Sequence, residues 1–292
     1  MGYPPRYIRP VTYGDKMQWR KLFERDPQFA VFCDKMMLRD YVERANLPLK
    51  MAEVYWYGHD ADAIPFDSLP DRFVLKPSHL SGRFLLCDDK RRLDIHHSKT
   101  EAARWMRRVH GRAGREWAYT QVTRGIIAEE YLATPDELIV PSEYRVYCFA
   151  GQLKLVQLSI GKLTDDADLT FYDADWRQLP WCAIIDGERT DVGQPQPRPP
   201  FWEDMCRISA QISSDFGHMR VDFFDVMGEL YLAEITPYSA SGGLIWVGAQ
   251  AENSDRSIDQ EMGALWPTPT RSIWRELIDA FGFRSARKAV AA

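Results

Sequence analysis

Residues 218–237 read HMRVDFFDVMGELYLAEITP. Apolar and polar side chains alternate on both sides of Met227-Gly228, the period-two pattern of two strands joined by a turn. Successive side chains on a strand face opposite ways, so Arg220, Asp222, Glu234 and Thr236 share one parity. Val221, Phe223, Tyr231, Ala233 and Ile235 form an apolar face that should pack on the core. If the loop is odd-numbered, with Asp225 facing Glu229, Asp222 lies opposite Leu232 and diagonal to Glu234. Both carboxylates can then reach one hard cation. A two-residue Met227-Gly228 turn predicts the reverse, with the acids on different faces and no site. Two acids and an arginine on a hairpin also fit a solvated sheet face. Leu232 and Phe224, on the same face in this register, point to a covered surface, where unpaired carboxylates are costly and a metal compensates them.

Upstream, Lys76 ends an apolar strand (FVLK) and enters a Pro-Ser-His-Leu-Ser-Gly loop, with a return strand at 83–87. A lysine at such a junction can reach a phosphate, and Ser78, Ser81 and the loop N–H groups supply donors. One glycine is far from a phosphate-loop signature, and a plain surface hairpin fits the same residues. Residues 125–132 (GIIAEEYL) read as a buried strand ending in charge, and 144–157 as a hairpin turning at Ala150-Gly151. The first sixty residues carry helical i, i+3, i+4 spacing at Trp19, Leu22, Phe23, Phe29, Phe32, Cys33, Met36 and Met37. Ser98 to Glu101 has the form of a capping box for a helix through Ala102, Trp105 and Met106. Asp186 to Pro200, rich in Gly and Pro, reads as an irregular connection before the stripe Phe201, Met205, Ile208, Ile212. A last helix is expected over about 270–281.

The chain has 292 residues, with 37 basic and 42 acidic side chains and a net charge of −5. A balance this acidic and evenly mixed argues against a protein that coats nucleic acid or anionic lipid. Five cysteines without CxxC spacing argue against a disulfide framework or zinc ribbon. No apolar run approaches membrane-helix length, and the start, MGYPPRYIRP, has no signal-peptide core, so a cytoplasmic protein is expected. Ser239, Ser241 and Gly242, just after the second strand, read either as an acceptor-substrate loop or as a connection. Trp176, Trp181, Trp202 and Trp246 border loops, where an aromatic face can stack on a sugar or simply pack.

The order of these pieces resembles the ATP-grasp superfamily and, within it, the TupA-like ATP-grasp proteins of bacterial polysaccharide gene clusters. The likeness rests on Lys35 in FCDKMMLRDYV, Lys76 in LPDRFVLKPSHLSG, Glu129 in IIAEEYL, Glu143 and Arg145 in EYRVYCFAG, Asp222 in RVDFFD and Glu234 in LYLAEIT. It runs from about residue 11 to about 265. The resemblance implies an α/β protein in which two α+β lobes clasp ATP between antiparallel sheets, with a helical N-terminal cap over 1–65, a small lobe over 66–132 and a large lobe with the metal site over 133–292. It implies that Lys35 and Lys76 contact ATP phosphates, and that the loop with Ser78, His79, Ser81 and Gly82 covers them. Glu129, Glu130, Tyr131 and Leu132 would form the hinge that reads adenine, and Glu143 would hold the ribose. Asp222 and Glu234, with Thr236, would bind Mg2+, and Arg220 and Arg145 would be the catalytic cations. Lys154 is a further nucleotide-binding match, which a strand-edge charge explains equally well.

Two positions depart from the family pattern. Thr236 stands where many relatives have Asn, which predicts weaker metal binding, and Leu80 stands where relatives usually have Gly, which raises the cost of a positive φ there. The activity implied is a carboxylate–amine ligase that forms an amide through an acyl phosphate, acting on a small-molecule amino acid or uronic-acid sugar in cell-surface glycan assembly. The rivals are a sugar kinase using the same site and a catalytically silent nucleotide-binding partner.

Overall fold

The computed structural model describes residues 4–132, 140–165, 167–185 and 187–267. The chain opens with three helices, α1 (Tyr13–Phe23), α2 (Pro27–Cys33) and α3 (Lys35–Arg44). Each starts at a side-chain cap that satisfies N–H groups the helix leaves unpaired. Thr12 and Asp15 form a capping box, Asp26 accepts from the Gln28 N–H with Pro27 in the first turn, and Asp34 accepts from Met36 and Met37. Asp34 therefore fixes where Lys35 leaves the first turn of α3.

Next come β1 (Val54–Gly58), β2 (Phe73–Pro77), β3 (Leu85–Cys87), α4 (Ile95–Arg107) and β4 (Ile126–Glu130). The strands make an antiparallel sheet in the order β1-β4-β2-β3. Its first strand lies inside the stretch read as a helical cap, because the alternation of Val54, Tyr55, Trp56 and Tyr57 is all aromatic or β-branched and offers no polar face to reveal it. Ala102 and Trp105 of α4 close one face of the sheet over Phe73, Leu75, Ile126 and Ala128. That helix begins earlier than the apparent capping box, since Asp94 accepts from the His97 N–H, and the Ser98 hydroxyl turns back to the Asp94 carbonyl.

The remainder supplies β5 (Ser142–Phe149), β6 (Gln152–Ile160), β7 (Asp168–Asp173), β8 (Gln178–Leu179), β9 (Trp181–Ile185), β10 (Glu188–Arg189), α5 (Trp202–Ser213), β11 (His218–Val226), β12 (Glu229–Thr236), β13 (Ile245–Gly248) and α6 (Ser257–Leu265). Six of these strands form a second antiparallel sheet, β12-β11-β5-β6-β7-β8, and β10-β9-β13 form a third. The expected Ala150-Gly151 turn joins β5 to β6, both residues at positive φ. Trp202, Met205, Ile208 and Ile212 of α5 bury their stripe with Val146, Val156 and Val221, and each such large side chain contributes about 1.5–3 kcal/mol when removed from water. This larger core is separate from the one under α4.

The tryptophans near loops serve packing rather than open platforms. Trp202 and Trp246 are buried, and Trp176 stacks on Tyr172 at 4.2 Å while its Nε1 donates to the Gln196 carbonyl. Trp181, half-buried on β9, packs tilted against Phe171 with ring centroids 6.3 Å apart. All five cysteines are free thiols. Among the described residues no helix is long and apolar enough to cross a membrane. The helix expected over 270–281 lies outside them.

Candidate active site

The β11–β12 hairpin turns through Met227 and Gly228, at φ 57° and 84°, with Val226 paired to Glu229. This is the two-residue turn that should have separated the acids. Asp225 stabilises it by accepting from the Gly228 N–H at 2.8 Å. The ladder continues to Phe223↔Leu232 and then slips, so that Asp222 pairs with Glu234 and Ala233 is the extra residue of a β-bulge. Two departures from the expected register thus cancel, and both carboxylates lie on one face. The slip also exchanges two neighbours. Leu232, paired with Phe223 and buried, belongs to the core face, and Tyr231, paired with Phe224, belongs to the side of the acids. The Leu232 N–H, pointing off the sheet edge, is held by the Lys50 carbonyl at 2.8 Å.

A buried polar row crosses this face. The Arg220 guanidinium donates to both oxygens of Asp222 at 2.7 Å, and also to the Thr236 hydroxyl at 3.4 Å, which in turn donates to Glu234 at 2.8 Å. Burial raises the Asp222 carboxyl to about 6, against the pull of Arg220. Arg145 is cross-strand from Asp222, and its guanidinium donates to Glu143 at 2.8 Å. Lys162, at the end of β6, reaches the same Glu143 oxygen at 3.3 Å. Burial pushes Glu143 upward, and the charges of Arg145, Lys162 and Arg220 outweigh it to leave its pKa below the ordinary value. His218 extends the row. It donates from Nδ1 to the Cys148 carbonyl and accepts from the Tyr13 hydroxyl at Nε2, and burial holds it neutral.

A cleft of about 210 Å³ separates this hairpin from the β2–β4 ladder. It is lined by Lys35, Lys76, Ser81, Gly82, Glu129 to Leu132, Glu143 and Glu234, so ten of the twenty residues singled out in the sequence meet there. Lys76 forms an ion pair with Glu129, and Arg39 binds the other Glu129 oxygen at 3.1 Å. Lys35 donates to the Leu80 carbonyl at 2.6 Å, and desolvation lowers its pKa to about 8 despite the attraction of Glu234. Two lysines thus converge on one opening, and among the described residues Lys35 makes no ion pair, which leaves its charge for a phosphate oxygen.

The rest fall outside this cleft. Asp222, Arg220 and Thr236 lie behind Glu234, while Arg145 faces a neighbouring cavity. The Ser78 hydroxyl donates to the Thr123 carbonyl, and His79 bonds the Trp105 carbonyl, so both anchor the loop from beneath instead of facing a ligand. Leu80 is buried in the small core, and the positive φ falls on Gly82, which is why the departure from glycine is tolerated. Lys154 is the extra residue of a bulge near the β5–β6 turn, and lines neither cavity. Ser239, Ser241 and Gly242 form a turn docked on α1. Lys21 and Gln18 both donate to Ser241, and a Cβ on Gly242 would lie 2.8 Å from Met17. That seam fits the reading of these residues as a connection.

Asp222, Glu234 and Thr236 present hard oxygen donors of the kind magnesium takes alongside phosphate and water. Among the described residues no three His, Cys, Asp or Glu side chains gather as a metal cluster, so a cation here depends on those other ligands. Sequence reasoning missed Arg39 and Lys162. Arg39 was legible in principle, as it lies four residues after Lys35 on the same face of α3. Lys162 follows an ordinary strand and carries no motif.

A lysine-lined cleft between two antiparallel sheets, with paired acids on the facing hairpin, defines an ATP-grasp protein. The TupA-like ATP-grasp family model matches residues 15–266, and the chain belongs to that family. No curated protein matches the sequence. Among solved structures, the fold is similar to D-alanine–D-alanine ligase from Helicobacter pylori at 14% identity, covering 87% of this chain and 69% of that one, with a TM-score of 0.44. D-cycloserine synthetase DcsG is 15% identical over 82% of this chain and 70% of its own, with a TM-score of 0.44. D-alanine–D-alanine ligase from Bacillus anthracis is 13% identical over 71% of this chain, with a TM-score of 0.41, and the chain spans 58% of that enzyme's length.

Proposed function

We propose that this ATP-grasp enzyme is an ATP- and magnesium-dependent carboxylate–amine ligase of the cytoplasm that forms an amide in cell-surface glycan assembly. The observation that carries the reading is the convergence of Lys35 and Lys76 from one side, and Glu234 backed by Asp222 and Arg220 from the other, on a single cleft in a chain of this family. Lys35 and Lys76 would bind the phosphates of ATP, and Glu129 to Leu132 would hold the base. Asp222, Glu234 and Thr236 would hold magnesium, which neutralises charge on the phosphoryl group being transferred.

In this reading a carboxylate oxygen of the acceptor attacks the γ-phosphorus, and ADP leaves. The nitrogen of an amine then attacks the acyl carbon, and inorganic phosphate leaves with the former carboxylate oxygen while the nitrogen loses a proton. Arg220 would keep Asp222 ionised beside Glu234, and Arg145, cross-strand from Asp222, would face the acceptor. The test mixes protein, ATP and magnesium with candidate acids, with and without hydroxylamine. Acid-dependent ADP release with hydroxamate supports a ligase. A stable phosphosugar identifies a kinase, and neither product leaves a nucleotide binder.

A further inference from the structure

A second cavity, of about 690 Å³, opens beside the nucleotide cleft. The two meet at Lys162, which lines both. The larger one has a floor from β5 and β6, carrying Arg145, Gln157 and Ser159, and a wall from β10 and residues 190–194. Its volume is within the range of roughly 300–1,000 Å³ typical of small-molecule sites, and is more than one amino acid needs.

The wall is built into place. Gly193 approaches β7 so closely that a Cβ would lie 2.0 Å from an Asp168 oxygen and 2.1 Å from the Thr170 hydroxyl. Gln178 donates to the Gly193 carbonyl at 2.7 Å, and the Gln194 N–H donates to Asp168 at 2.8 Å. The irregular, glycine- and proline-rich segment is thus one side of a preformed cavity.

The polar groups of the cavity are distributed in two poles. Among the described residues the Arg145 Nε is buried without a hydrogen-bond partner. Gln157, buried, accepts from the Tyr147 hydroxyl through its carbonyl and leaves its amide NH2 to donate. Arg145 and Lys162 share one Glu143 oxygen, so with Gln157 these groups make a donor-rich floor that keeps one net positive charge. Glu188 and Asp191 on the wall are exposed, and no ion pair engages them among the described residues. Arg189, between them in sequence, is spent on the carbonyls of Gly248, Ala249 and Ala251.

Resting on the ligase reading above, we propose that this cavity is the acceptor site, and that it takes a short peptide zwitterion, its carboxylate toward Arg145 and Lys162 and its ammonium toward Glu188 and Asp191. Carboxylate and guanidinium pair at the end nearest Asp222, where phosphoryl transfer would occur. An oligouronate, with one carboxylate on every sugar, would set like charges against the wall.

Calorimetry on the full chain tests this with trialanine, N-acetyl-trialanine, trialanine amide and digalacturonate. Each is titrated with and without magnesium and a non-hydrolysable ATP analogue. Trialanine should bind, and capping either end should weaken it by roughly tenfold or more, the scale of one lost charge-assisted bond. The exposed double variant Glu188→Gln/Asp191→Asn should weaken trialanine by a similar factor and leave the acetylated peptide unchanged. Digalacturonate binding in preference to trialanine overturns the proposal, as does insensitivity to the double variant or failure of every peptide to bind. The analogue's own isotherm is a separate readout. Peptide binding without nucleotide binding would overturn the ligase reading and keep the peptide site.

Discussion

Asp222 faces Glu234 across the β11–β12 ladder even though a turn of only two residues joins their strands. A regular ladder from that turn would place Ala233 opposite Asp222 and turn Glu234 into the core. The bulge at Ala233 prevents this, and the Lys50 carbonyl satisfies the N–H next to it, so the site depends on a segment almost two hundred residues away in sequence.

The two acids should differ in what their removal does. Asp222→Asn takes the charge from a buried guanidinium and should cost about 3–5 kcal/mol of stability as well as turnover. Glu234→Gln, half-buried, accepting from Thr236 and in no ion pair among the described residues, should abolish turnover while changing stability by less than about 1 kcal/mol. Denaturant melts beside ADP-release assays check the pair. Equal stability losses would contradict the geometry.

Lys35 gives the site a pH dependence. Its pKa, lowered to about 8 by desolvation, lies below the ordinary lysine value of 10.5, so between the two the unfolded chain binds more protons than the folded one. This group therefore makes the free protein more stable as pH rises from about 8 toward 10.5. Phosphate binding needs the charged form and has the opposite sign, so affinity for Mg-ATP should fall as pH rises through 8. Lys35→Arg should flatten that decline. Calorimetry from pH 7 to 9 measures both, and a flat profile in the parent would remove Lys35 from the phosphates.

The loop at 78–82 separates anchoring from conformational freedom. Leu80 is buried in the small core, so Leu80→Ala should cost at least about 2 kcal/mol, the lower end for core leucines. Gly82 holds the positive φ, and a Cβ there would meet nothing within 4 Å, so Gly82→Ala should cost only the backbone strain of about 1–2 kcal/mol. Urea unfolding of both variants checks the order, which reverses if Leu80 is not an anchor.

Elements with one clear period were legible from sequence. The hairpins at 73–87, 142–160 and 218–236 announce themselves by alternation and turn residues, and the helical stripes of α2 and α5 by i, i+3, i+4 spacing. The short strands β7 to β10 and β13 were not, because strands of two to six residues carry too few positions to set a period. The bulge was invisible for a different reason. Nothing in Tyr231-Leu232-Ala233-Glu234 marks an extra residue, and the slip depends on contacts with Lys50 and β11. Lysines and acids of the cleft could be picked out as residues by type and order, whereas of the second cavity's lining only Arg145 could. One wall of that cavity is irregular chain that docks on β7 through the close approach of Gly193 and through backbone hydrogen bonds of Gln194 and Gln196 to Asp168, Thr170 and Tyr172, none of which leaves a periodic pattern in the sequence.

The reaction itself leaves a label that distinguishes its possible courses. Lys35 and Lys76 project from α3 and β2, and the paired acids, Arg220 and Arg145 from the second sheet, so in the proposed reading an acceptor beside Arg145 would meet the γ-phosphate from the side of the second sheet. Because an acyl phosphate hydrolyses in water, the cleft must exclude solvent before it forms. With an acceptor labelled by 18O in its carboxylate, and an amine present, one labelled oxygen should appear in inorganic phosphate for each amide formed, and ADP release should require the acid. Phosphate without label and a product phosphorylated on a hydroxyl would assign the same cleft to a kinase. ADP release that ignores the acid would mean that water reaches the γ-phosphate, and that the peptide-sized cavity is not the route by which an acceptor arrives.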